Sequence, residues 1–354
     1  MKTIAVLPGD GIGEEVVREG LKVLETVATV TGFQYKLEQY PYGAEHFLKT
    51  GETFPDSALR AMKDHDAILL GAIGDPRVET GMLERAIIMG VRFGLDLYVN
   101  LRPIKLYAEH LCPLKGVTPA QIDMVIAREN TEGAYVGLGG IMKKETSNEV
   151  AVCNMVWTRA GTERVIRYAF EVAKKRDKAK RVTLVDKANA IRPMDLWTRT
   201  FEQVASEYPS LSTDHAYIDA ACMWMVKNPD WFDTVVTDNL FGDIITDLGA
   251  MLQGGLGIAA SGNIHPGQVS MFEPIHGSAP KYKGQNKACP VATINAVLMM
   301  LDFLGERDGA QIVENAMASA LRSKKIPSLR AGAIPTNEAG DIIVEEIKAQ
   351  AAGS

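Results

Sequence analysis

Asp243 and Asp247 stand four residues apart in TDNLFGDIITDLGAML, residues 237–252. On a helix that spacing puts both carboxylates on one face, a turn apart. Two like charges so placed repel unless a cation or basic group neutralises them. An all-oxygen donor set suits Mg²⁺ or Mn²⁺ and not zinc. A lone acidic pair is more often a solvated helix face, but the apolar neighbours Ile244, Ile245 and Leu248 argue for a packed helix. Asp219, in HAYIDAACM, is a third carboxylate in an apolar stretch. Read as buried, it needs a partner, and a metal would be one.

Arginine placement is the second signal. Arg92 lies in the helix-like run AIIMGVRFGLDL, Arg102 stands before Pro103 at an expected chain turn, and Arg128 ends the apolar run DMVIA. Guanidinium groups bind carboxylates through paired hydrogen bonds, so three that converge would suit a di- or tricarboxylate. Singly, each reads as a surface arginine.

Lys187 in DKANAI and Tyr135 after RENTEGA form a proton-handling pair. A lysine at a strand end beside a metal is a suitable base, and a tyrosine a suitable proton donor. Their plainer readings are an ion pair with Asp186 and a packed aromatic ring.

These groups need elements to position them. Continuous apolar runs at 3–7, 67–71, 123–127, 181–185 and 233–237 read as buried strands, with a first helix from about Glu14. Alternation with amphipathic helices predicts an α/β sheet covered on both faces. The last three strands end in RENTEG, DKAN and DNLFGD, and ligands gather at strand carboxyl ends in open α/β sheets. Residues 134–158 differ: rich in Gly, Val, Met and Thr and broken at Ser147 and Asn148, they read as an extended hairpin arm. A hairpin is marginal alone in water, so a partner subunit is its natural cover. Gly9, Gly11 and Gly13 imitate a dinucleotide fingerprint, but Glu14 occupies the place of the required third glycine. The expectation is a plain strand-to-helix turn, with any nicotinamide cofactor bound outside a Rossmann loop.

Composition narrows the classes. The 354 residues carry 44 acidic and 38 basic side chains, a net charge of -6, which shows no overall nucleic-acid footprint. The basic run at 174–181 reads as a solvated helix end. Four cysteines without a C-x-x-C pair speak against a disulfide framework or thiolate zinc site. The apolar start stops at Pro8, and Ala296–Leu304 is interrupted by Asp302, so neither a signal peptide nor a membrane span is expected. A cytoplasmic protein is the expectation.

Taken together, LPGDGIG, VNLRP (99–103), RENTEGAY (128–135), DKAN (186–189), TDNLFGDIITDL (237–248), ASGNI (260–264) and FEPIHGSAP (272–280) resemble the β-decarboxylating dehydrogenases over nearly the whole chain. That family acts on isopropylmalate, isocitrate, homoisocitrate, tartrate and D-malate. The resemblance implies a two-domain α/β fold of isopropylmalate/isocitrate dehydrogenase type, non-Rossmann, with a β-hairpin dimerisation arm. Residues 1–99 and 252–354 would form a cofactor-binding domain, and 100–251 the substrate and metal domain. Arg92, Arg102 and Arg128 would hold the malate carboxylates. Asp219, Asp243 and Asp247 would bind Mg²⁺ or Mn²⁺, with Asp219 also at the substrate. Lys187 and Tyr135 would be catalytic, and Lys187 and Asp219 would enter the site from the second subunit of a homodimer.

Substrate and cofactor identity follow from smaller features. Ile88 and Met89, one turn before Arg92, suit an isopropyl group, so 3-isopropylmalate and leucine biosynthesis are expected. D-malate or tartrate is the next choice, then isocitrate or homoisocitrate; a regulatory subunit would have lost a metal aspartate, the tyrosine or the lysine, and all remain. The cofactor would meet Glu273, His276, Gly277, Ser278, Ala279, Pro280, Lys281, Tyr282 and Cys289. Lys281 and Tyr282 resemble NADP-dependent relatives, and a cation beside a hydroxyl suits a phosphate. The overall resemblance implies NAD, with NADP the alternative.

Overall fold

The computed structural model describes residues 1–352. Along the chain it forms β1 (Lys2–Gly9), α1 (Gly13–Thr31), β2 (Tyr35–Gln39), α2 (Ala44–Thr50), α3 (Asp56–Met62) and β3 (Ala67–Ala72). A π-helical turn at Glu84–Met89 runs into α4 (Gly90–Gly94) and β4 (Val99–Lys105). Then follow β5 (Asp123–Glu129), β6 (Gly139–Met142), β7 (Val150–Cys153), α5 (Arg159–Arg176), β8 (Arg181–Asp186), α6 (Asp195–Ala205), β9 (Ser212–Tyr217), α7 (Ile218–Lys227), β10 (Thr234–Thr237) and α8 (Asn239–Leu252). The chain closes with β11 (Ala260–Ile264), β12 (Ser270–Pro274), α9 (Val291–Phe303), α10 (Arg307–Arg322) and α11 (Thr336–Ala352).

Two compact units result. The first comprises 1–97, 102–122 and 250–354, and the second 98–101 and 123–249. The stretch 102–122, expected in the second domain, thus packs with the first unit. Pro103 makes no turn: β4 runs through it to Lys105. A residue before proline is pushed to the extended region, which a strand satisfies.

In the first unit the strands lie in the order β2-β1-β3-β12-β11, parallel except for β11 against β12. The buried runs of β1 and β3 meet in register, Ile4 opposite Ala67 and Leu7 opposite Leu70. α9 is apolar on nearly every side and almost wholly buried, as a central helix must be. The amphipathic α1 packs against it and against α11, and ends at Gly32 in the left-handed conformation.

In the second unit β5-β10-β8-β9 are all parallel, covered by α5 and α6. α5 starts where Thr158 accepts from the Gly161 N–H at 2.9 Å. β6 and β7 make a separate antiparallel ribbon, Gly139 opposite Cys153, whose residues are all exposed. That is the expected hairpin arm. The basic run at the end of α5 is partly paired: Arg176 with Asp123 and Asp233, and Lys178 with Asp123. All four cysteines are free, and no helix among the described residues is long and apolar enough to cross a membrane.

Candidate active site

Arg128, Lys187, Asp219 and the head of α8 all follow or end parallel strands of the second unit, where the sheet topology exposes backbone and side chains to ligands. Arg128 is buried and its guanidinium is fully oriented. Nε and Nη2 donate to Asn239 Oδ1 at 3.1 and 2.6 Å, and Nη1 donates to Asp243 Oδ1 at 2.6 Å. The arginine stem passes over Gly242, where any Cβ would collide with Arg128 Cγ and stand 2.8 Å from its Cβ. The glycine is what lets the helix approach this closely.

Tyr135 donates its hydroxyl to Asp243 Oδ2 at 3.2 Å, with the Arg128 guanidinium 5.8 Å from its ring centre. Burial, then the Asp243 charge, raises the phenol pKa. Buried Glu129 shapes the loop that carries this tyrosine. It accepts from Thr131 N–H and hydroxyl, both at 2.8 Å, and from Glu132 N–H at 2.7 Å. So Arg128, Tyr135 and Asp243 are brought together, and Asp247 stands exposed one turn further along α8.

Asp219 is not the buried group expected of its apolar surroundings. Its side chain is 68% exposed at the start of α7, where a helix N-terminus faces solvent. It pairs with Lys187 at 2.6 Å, which holds its carboxyl below the ordinary range. Asp186 is therefore not the lysine's partner. Among the described residues of this one chain no three acidic, histidine or cysteine groups converge on a metal position. Asp243 and Asp247 supply two hard oxygen donors, and Asp219 is not assembled with them into such a cluster.

The first unit holds the other expected residues. Arg92 Nη2 donates to Glu273 Oε1 at 2.9 Å, and Glu273 also accepts from Asn263 Nδ2 at 2.7 Å. Arg92 Nε is buried without a partner among the described residues. Arg102 is buried on β4. Ile88 packs on the core around Leu83, Ile87 and Val91, and Met89 is half-buried.

The glycine turn is structural. Asp10 is buried and accepts from Ala44 N–H at 2.7 Å and Gly74 N–H at 2.9 Å. Ile12 N–H donates to Ser278 O at 2.8 Å, and a Cβ at Gly11 would collide with that carbonyl. The turn thereby seats the HGSAP loop. Next to it Ile12, Val16 and Ala288 form an apolar wall with Ala279 and Tyr282. His276 contacts Gly277 O through Nδ1 at 3.0 Å, while its buried Nε2 has no partner among the described residues. Burial lowers its pKa. Lys281 Nζ lies 4.8 Å from the Tyr282 ring centre. Cys289 is buried, its thiol pushed up to about 11.

Several residues escaped the sequence reading. Asp238 caps α8, accepting from Phe241 N–H at 2.9 Å and from Trp157 Nε1–H at 3.3 Å. Burial pushes it up to about 6. Asn239 orients Arg128, and Asp10 organises the glycine turn. The D-N pair before an apolar helix is a cap signature that would have found Asp238; nothing local announces Trp157.

Known proteins resemble this chain along nearly its whole length. Residues 3–343 match the family described as isocitrate/isopropylmalate dehydrogenase. The chain is 49% identical over 350 residues to the 3-isopropylmalate dehydrogenase of Thermobifida fusca (strain YX), covering 98% of each. It is 48% identical over 353 residues to that of Frankia casuarinae, covering 99% of each. Among solved structures, isocitrate dehydrogenase from Methylococcus capsulatus superposes with a TM-score of 0.87 at 34% identity, over 98% of this chain and 100% of that one. The β-decarboxylating dehydrogenase of Thermococcus kodakarensis gives 0.80 at 33% identity, over 99% and 97%. The chain therefore belongs to the isocitrate/isopropylmalate dehydrogenase family of β-decarboxylating dehydrogenases.

Proposed function

We propose that this protein is a homodimeric, divalent-metal-dependent enzyme that oxidises 3-isopropylmalate at C2 with NAD and releases CO₂, giving 4-methyl-2-oxopentanoate for leucine synthesis. The observation that carries the reading is the hydrogen-bonded set Arg128, Asp243 and Tyr135. It sets a carboxylate-binding fork, a hard oxygen donor and a proton donor side by side. The near-full-length likeness to chains named 3-isopropylmalate dehydrogenase supports that substrate over D-malate, tartrate or isocitrate-type acids. Half-buried Met89, with Ile88, offers an apolar surface for an isopropyl group.

The donor chemistry fits the metal. Asp243 and Asp247 offer only oxygen, as Mg²⁺ or Mn²⁺ requires, and Asp219 is exposed enough to be donated to a second copy. Such an ion, when bound, stabilises negative charge on substrate oxygens as a Lewis acid. The cofactor also fits. The orphaned Nε2 of His276 and the wall around Ile12 offer one hydrogen bond and one apolar face. A nicotinamide, when bound, accepts the hydride from C2.

The chain's own residues do the rest. Arg128, with Arg92 and Arg102, orients the carboxylates so that the C2–H bond is presented in one direction. Lys187 takes the C2 hydroxyl proton. After CO₂ leaves, Tyr135 gives a proton to the carbon that carried it. Cytoplasmic location remains part of this proposal.

Pairing of two copies is supported by exposed apolar surface. Met223 is 73% exposed on α7, Ile244 55% on α8, and Ile141 and Met142 each more than half on the hairpin. Side chains of this kind seek cover. NADP has one specific observation in its favour, the ammonium of Lys281 beside Tyr282.

The deciding experiment follows reduced nicotinamide with a panel of 2-hydroxy acids, Mn²⁺ and each cofactor. Fastest turnover of 3-isopropylmalate with NAD is expected. Faster D-malate or isocitrate would overturn the substrate, saturation at lower NADP would overturn the cofactor, and full turnover after chelation would overturn the metal.

A further inference from the structure

Lys187 occupies the middle of a turn closed by its neighbour. Asp186, fully buried at the end of β8, accepts from the Ala188 N–H through Oδ1 at 3.0 Å. An aspartate bonded two residues on in this way fixes the backbone of the residue between. Such a carboxylate holds its geometry only if its other lone pairs are satisfied. Two distant groups do so. Thr198 on α6 donates its hydroxyl to Oδ2 at 3.1 Å, and His215 Nε2 on β9 lies 3.0 Å from Oδ1.

The sheet explains why histidine reaches this point. β8 and β9 are parallel, with Leu184 opposite His215 and Asp186 opposite Tyr217. The period of two puts His215 on the same face as Asp186, one pair back. Tyr217 stands edge-on to the imidazole at 5.2 Å and 77°, which limits its rotation. Among the described residues His215 is the one ionisable donor on the buried carboxylate, and the mechanism has no other use for it.

We propose that His215 is a positioning residue for the reaction: through Asp186 it locks the Lys187 turn, and so the aim of the lysine that takes the substrate proton. The Asp186 hydrogen bond also raises the imidazole pKa, consistent with a cationic brace. A misaimed base slows chemistry without weakening substrate binding, because the arginines still hold the carboxylates. The proposal rests on Lys187 being that base, so the test separates the two.

Three variants of the full-length protein are compared with metal, NAD and 3-isopropylmalate. Lys187→Met should lose about a thousandfold or more in kcat. His215→Leu should lose about ten- to a hundredfold in kcat, with KM within twofold. His215→Gln, which keeps an N–H donor, should recover most of the loss. Hydrogen exchange of the peptide holding Ala188 should quicken in His215→Leu and not in His215→Gln. Full activity in Lys187→Met would overturn the functional reading and this inference with it. A dead Lys187→Met beside a His215→Leu of normal kcat would overturn the inference alone. So would a rise in KM matching the fall in kcat, which would mean that substrate binding, and not the aim of the base alone, had been disturbed.

Discussion

Arg92 and Glu273 form a buried ion pair, Nη2 to Oε1 at 2.9 Å, between α4 and β12 of the first unit. The arginine is one of the three expected to hold the substrate carboxylates, and the glutamate belongs to the expected cofactor segment. Asn263 shares the same Glu273 oxygen, so the carboxylate is held from two sides. Arg92 is thereby aimed by Glu273, leaving its buried Nε for another acceptor. A lysine would keep the charge but lose the fork. Arg92→Lys should raise KM for the hydroxy acid by about tenfold or more. Steady-state kinetics that left KM unchanged would remove Arg92 from substrate binding.

Gly242→Ala gives a contest between two effects. Alanine is the better helix former by about 1 kcal/mol, so an open site would be stabilised. Here the new Cβ meets the Arg128 stem. Overpacking of that kind costs about 1–3 kcal/mol. The expected outcome is a less stable protein in urea titration, with kcat/KM reduced at least tenfold as Arg128 is displaced. A gain in stability with normal kinetics would mean the arginine has room to move.

Asp238 carries a cost that depends on pH. Its folded pKa of about 6 lies above the ordinary 3.8, because burial penalises the charged form. A raised carboxyl stabilises the fold fully only below its unfolded pKa, and that contribution is lost as pH rises through the folded one. Asp238→Asn removes the charge but keeps one acceptor oxygen, so only one of the Phe241 N–H and Trp157 Nε1–H bonds survives. The lost bond costs the variant at every pH, but its stability relative to wild type should be better at pH 7.5 than below about pH 4, where wild-type Asp238 is also neutral. Urea midpoints at the two pH values measure this; a difference independent of pH would contradict it.

Subunit mixing tests the proposed sharing of the site between two copies. Lys187→Met and Asp247→Asn should each be nearly inactive alone. If the lysine of one copy serves the metal residues of the other, a mixed dimer has one intact site. Random exchange of equal amounts should then restore about a quarter of wild-type activity. No recovery after verified exchange would place both residues in one chain's site.

The strands were readable because a sheet buried on both faces demands unbroken apolar runs, and all five runs became strands. The polar residues at their ends were readable for the same reason. Asp219 is exposed where its neighbours suggest burial, because apolar neighbours on a helix say nothing about which face that residue takes. Pro103 lies within β4 and not at a turn, because a proline restricts its predecessor equally in a strand and a turn. The supporting contacts stayed hidden. Trp157 meets Asp238 across 81 positions, and His215 meets Asp186 across two strands. No local pattern encodes an encounter that only the sheet order creates.

The first unit is built from both ends of the chain, with β3 beside β12 and α1 against α11. A ribosome making this protein releases residues 1–97 long before their neighbours exist. Those strands wait, half-covered, while the nearly continuous second unit emerges and closes. Protease digestion of arrested nascent chains should find residues 123–249 protected first, and the amino terminus sheltered only once α11 has left the exit tunnel.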